Sequence, residues 1–139
     1  MTDKSIQSDG KVLVSDAQQY INEAARSRGY VLDYHKIMAK YDFPFFQATN
    51  QLVEAAYLRP RLLDRRTKEL IFIVSLTVLR STPEHIISHI RVALELGISP
   101  EEILQAIEIA MPEAGVVAFQ AGVDAWRVAV DAQGLEPDL

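Results

Sequence analysis

His85 and His89 are the residues best suited to move a proton near neutral pH, and they stand four positions apart in the run His85-Ile86-Ile87-Ser88-His89. At about 100° per residue, an i, i+4 pair on a helix points the same way. Val92 and Leu96 fall on that side, Ile86, Ile87, Ile90 and Leu94 continue the apolar arc, and Ser88, Arg91 and Glu95 gather opposite. Both imidazoles are therefore expected to look inward. Apolar surroundings favour the neutral ring, the form able to accept a proton near pH 7. Periodicity alone favours the plainer reading, a pair of core histidines, each satisfied by a carbonyl or a carboxylate.

Other chemistries are weaker. The His85-to-His89 run lacks the glutamate that completes HExxH, so the zinc-protease pattern fails on its general base. A two-histidine metal site would need a third ligand, for which Glu69 and His35 are the candidates, and no metal is expected. The chain has no cysteine, which excludes a thiolate nucleophile, a disulfide and cysteine-ligated metal. No serine lies on a recognisable nucleophile elbow. The imidazole pair itself suits acid–base chemistry, which needs no cofactor, and Arg80 could hold a carboxylate in a two-pronged contact.

Two helices must position these groups. Asp64 is a good N-cap for a helix running through Glu69 to about Arg80, because its carboxylate can accept the free N–H groups of the next turn. Ser81, Thr82 and Pro83 break that helix and restart another, with Thr82 capping and Pro83 at the first helical position, and Gly97 stops it. A central antiparallel helix pair follows. Arg65 and Arg66 fall in the first turn, where the helix dipole disfavours cations. That local cost points to a partner: a substrate carboxylate, an acidic residue of another subunit or, most simply, solvent.

The remainder reads as helix throughout. Residues 1–14 are polar and form a flexible arm, and 15–139 form one helical domain. Ser15 with Gln18 opens a first helix that ends at Gly29. Asp33 caps a second with Tyr34, Ile37, Met38 and Tyr41 as its buried stripe. A third runs from Pro44 to about Leu58, with Phe45 and Phe46 taken as core. Ser99, Pro100 and Glu102 start a sixth helix with Ile103, Leu104, Ile107 and Met111 inward, Pro112 ends or bends it, and a last helix extends from about Glu113 to Ala132. No hairpin signal interrupts this pattern, so the fold is all-α. Of 139 residues 49% are hydrophobic, enough for a real core, and a net charge of −5 gives no drive toward nucleic acid or an anionic membrane. The apolar run from Leu70 to Leu79 is too short to cross a bilayer and the N-terminus has no signal-like core, so a cytoplasmic location is expected.

Leu63 to Ile71, His89 with Ala93 and Gly97, Ile98 to Ile103, and Ala114-Gly115 together resemble the carboxymuconolactone decarboxylase family, which includes the alkylhydroperoxidase D-like proteins. The resemblance covers roughly Phe43 to Val130. It implies an alkylhydroperoxidase D-like helical fold and assembly as a homo-oligomer, a trimer or hexamer, which suits a fourth helix apolar on nearly all sides after Leu70. In the peroxidase branch a glutamate precedes a CxxCxxxH motif; His89 matches the motif histidine, Glu69 is the counterpart of the glutamate, and Thr82 and His85 stand where the cysteines would be. Thiol peroxidase activity is therefore not expected. The decarboxylase branch implies a small carboxylated lactone or related organic acid as substrate, with His89, His85 and Glu69 as the catalytic group and Arg80 and Thr82 binding substrate. The alternative is a non-catalytic oligomer that binds a small molecule in the old pocket.

Overall fold

The computed structural model describes residues 16–132, so the expected N-terminal arm and the Ser15 cap lie outside the described residues. Within them the elements are α1 (16–28), α2 (Asp33–Tyr41), α3 (Phe43–Val53), a π-helical turn (Glu54–Leu58), α4 (Arg65–Val78), α5 (Pro83–Glu95), α6 (Pro100–Glu108), α7 (Ala110–Ala114) and α8 (Val116–Ala132). No strand occurs among the described residues, in keeping with the all-α expectation. The chain divides into two compact units, Met1–Arg59 and Pro60–Leu139.

In the first unit the packing is decided by polar groups. Arg28, His35 and Asn50 are all buried, with Arg28 Nη1 2.9 Å from His35 Nε2, Arg28 Nη2 2.5 Å from Asn50 Oδ1, and Asn50 Nδ2 donating to the Tyr20 hydroxyl at 3.1 Å. Buried polar groups must find partners, and meeting that demand orients α2. Its inward residues are His35 and Ala39, whereas Tyr34, Ile37 and Tyr41 of the expected stripe are 51%, 54% and 74% exposed. The apolar periodicity was a poor guide because the hydrogen-bonded histidine, not the aliphatic residues, sets the inner face. Phe46 is core as expected and Phe45 is exposed. The expected third helix ends early: it changes to π geometry at Glu54, where the Arg59 N–H reaches back to the Glu54 carbonyl at 2.8 Å.

The second unit has an aliphatic core of Ile73, Leu76, Ile86, Ile90, Ala93, Ile98, Ile103, Ile107, Ala125 and Ala129, drawn from α4, α5, α6, α8 and the Gly97–Ser99 connection. α4 packs on α5 and α8, and α5 packs on α8. Gly122 lets α8 come close: a Cβ there would lie 2.6 Å from Thr77 Cγ2 and 2.7 Å from Ile107 Cγ2. Ser99 caps α6 by accepting the Glu102 N–H at 3.1 Å, and the Trp126 indole N–H donates to the Pro100 carbonyl at 2.8 Å, pinning the start of α6 to α8. The last helix starts at Val116 and not at Glu113, because Gly115 takes φ +87° and separates the short α7 from it. Met111, expected inward, is 40% exposed, and Ala110 takes the buried position beside it.

Candidate active site

The α4–α5 hairpin is built by its two ends and its turn. At the start of α4 the Asp64 carboxylate accepts the Thr67 N–H at 2.7 Å, and this bond holds the carboxyl below its ordinary value of 3.8. At the end of α4 the Arg80 N–H bonds the Thr77 carbonyl and the Ser81 N–H bonds the Leu76 carbonyl, each at 3.0 Å. That pairing is a Schellman ending, which needs a left-handed residue and usually takes glycine. Here Arg80 supplies it, at φ +52°. Gly97, at φ +85°, ends α5 in the same way, with the Ile98 N–H on the Ala93 carbonyl at 3.0 Å. Thr82 occupies the cap position of α5, but its side chain makes no capping bond. Pro83 has no N–H to satisfy, and those of His85 and Ile86 reach the Thr82 carbonyl at 3.1 and 3.3 Å.

The hairpin brings Glu69 and His89 into direct contact. Both side chains are fully buried, and His89 Nδ1 bonds Glu69 Oε1. The second carboxylate oxygen, Oε2, lies 3.4 Å from Nε of Arg65, whose side chain is 28% exposed. Phe72, one turn along α4 from Glu69, stacks on the His89 ring with centroids 4.6 Å apart and planes 8° from parallel. His85 is half-buried, with its ring centroid 5.3 Å from that of His89 and Nδ1 3.4 Å from the Ser81 hydroxyl. A sealed imidazole thus adjoins a second one that reaches the surface.

The first-turn arginines find partners within the chain, and neither solvent nor another subunit is needed to explain them. Arg65 meets Glu69, and Arg66 pairs with Glu102 at the start of α6. Spacing could have shown the first, since Arg65 and Glu69 are an i, i+4 pair; nothing local marks the second. The Phe72 stack was likewise missed, although its position three residues after Glu69 places it on the neighbouring face. Arg80 and Thr82 are exposed at the junction. Of the two third-ligand candidates, Glu69 meets His89 and Arg65, and His35 bonds Arg28 in the first unit. Among the described residues no group of three or more histidines and carboxylates could hold a metal. A cleft of about 340 Å³ lies elsewhere on the second unit, lined by Val74, Ser75, Val78, Leu79, Ile109 and Glu113.

The model of the carboxymuconolactone decarboxylase family matches residues 44–128, more than half the chain, and the protein belongs to that family. The fold is shared with a crystal structure from Burkholderia xenovorans LB400 provisionally named a carboxymuconolactone decarboxylase, at 22% identity and a TM-score of 0.76, covering 86% of this chain and 93% of that one. No curated protein matches the chain.

Proposed function

We propose that the protein is a cofactor-free acid–base enzyme acting on a small carboxylated lactone or a related organic acid. The observation that carries this reading is the buried Glu69–His89 pair, continued toward the surface by half-buried His85. Decarboxylation of such a lactone breaks the bond to the carboxylate carbon and leaves its electron pair in conjugation with the lactone carbonyl. A positioned acid then delivers a proton to the carbon skeleton as carbon dioxide departs. His89 is the proton source in this scheme, Glu69 orients it, and half-buried His85, with its ring centroid 5.3 Å away, carries the proton between the sealed ring and the substrate. Arg80, exposed at the hairpin turn with Thr82, holds the substrate carboxylate. A left-handed arginine where glycine would be easier supports a role for that side chain.

The test is carbon dioxide release from a panel of carboxylated lactones. Turnover is expected in the parent, with a loss of roughly 10²–10⁴-fold in a folded His89→Gln variant. Full turnover in that variant would refute the assignment.

A second reading draws on a different observation: the cleft of about 340 Å³ is lined by none of these residues. In that reading the chain is a non-catalytic member that binds a small molecule on an oligomeric scaffold. Saturable binding without turnover, unaffected by His89→Gln, would favour it.

A further inference from the structure

The cleft of about 340 Å³ on the second unit takes no part in the acid–base scheme, and its walls select for a ligand of a different class. Val74 and Val78, and Ser75 and Leu79, are i, i+4 pairs, so the last turns of α4 line it with one strip. Ile109, at the α6–α7 joint, and Glu113, on α7, line the other side, and α7 packs on α4. Backbone bonds hold these walls. The Ile109 N–H meets the Ala106 carbonyl at 3.2 Å, the Gly115 N–H meets the Met111 carbonyl at 3.0 Å, and the Leu79 N–H meets the Ser75 carbonyl at 3.0 Å. Leu79 is 74% exposed and Ile109 55%, so a bound apolar body would take both out of water. Of the six lining residues Glu113 alone is charged, and no ion pair engages it among the described residues.

We propose that this cleft binds a small primary amine with an apolar body, the hydrocarbon lying on Val74, Val78, Leu79 and Ile109 and the ammonium on the Glu113 carboxylate. A carboxylate accepts hydrogen bonds and an ammonium donates three, so a further donor remains for the Ser75 hydroxyl. Other charge classes fit poorly. A carboxylated lactone would set its own anion against Glu113, so the cleft is not a second berth for the substrate of the acid–base reaction. An uncharged hydrocarbon would cover the apolar strip but displace water from the carboxylate without replacing its hydrogen bonds. The inference rests on the second reading of function, which assigns the cleft to a small molecule, and adds the class of that molecule.

The experiment titrates the full-length protein at neutral pH with benzylamine, benzyl alcohol and benzoate, which share a ring and differ in charge, and follows the backbone amide spectrum. Benzylamine is expected to shift the amides of residues 74–79, 109 and 113 saturably. It should bind about fivefold tighter than benzyl alcohol, the upper range for an exposed ion pair. That excess should shrink in high salt and vanish in Glu113→Gln, with alcohol binding unchanged. Ser75→Trp, which fills the cleft, should abolish both; Ser75 and Glu113 are exposed, so neither variant disturbs the core. Equal affinity for amine and alcohol, tighter binding of benzoate, a preference that survives Glu113→Gln, or no shift in these amides overturns the proposal. The last result is also what a second copy seated in the cleft would give. Alcohol or benzoate bound at these amides without a preference for amine keeps the cleft as a binding site and removes only the amine. An amine-selective cleft in a protein that releases carbon dioxide from a lactone keeps this proposal and removes the non-catalytic reading.

Discussion

Arg80 sets a stability interest against a functional one within a single residue. A non-glycine residue in the left-handed region costs about 1–2 kcal/mol, and glycine gives back part of that gain through its freer unfolded chain. Arg80→Gly is therefore expected to stabilise the protein by roughly 0.5–1 kcal/mol in urea denaturation. If the guanidinium holds a substrate carboxylate, the same variant raises KM while kcat changes less. The histidine pair was legible in the sequence because spacing alone puts His85 and His89 on one face. Their difference was not, since a helical wheel cannot say that Phe72 and Glu69 close over one ring while the other keeps access to the surface. Glu69 came from the family resemblance, and its ties to both His89 and Arg65 needed coordinates.

At the level of elements, caps and close approaches make the predictions. Asp64 has a lowered folded value, chiefly through the Thr67 N–H, so its contribution is complete above the ordinary carboxylate value of 3.8 and fades as the pH falls through the folded one. Melting temperatures of the parent and Asp64→Ala should differ by a constant amount near neutrality and converge in acid. Gly122→Ala has better helix propensity but puts a methyl 2.6 Å from Thr77 Cγ2, whose hydroxyl is tied to the Ile73 carbonyl at 2.7 Å. Overpacking wins, and a loss of about 1–3 kcal/mol is expected in denaturant titration. Helix starts at Asp64, Pro83 and Pro100 were readable because capping chemistry is local. The face of α2 and the start of α8 were not: a buried hydrogen-bond network decided one and the conformation of Gly115 the other.

On the scale of the whole molecule, apolar surface is the feature that calls for a partner. Leu79 is 74% exposed, Ile71 47%, Ile109 55% and Val117 60%, and Leu79 and Ile109 border the cleft of about 340 Å³. A monomer seldom leaves large contiguous apolar area in water. Self-association as a trimer or hexamer is the proposal, and light scattering should give a multiple of 15.6 kDa that falls in Leu79→Lys. A monomeric parent would contradict it. Arg65, Glu69, Phe72, His85 and His89 all belong to one uninterrupted helix hairpin of the second unit. Recombination that exchanged everything ahead of Pro60 would therefore carry these five side chains across as one block, in register with each other.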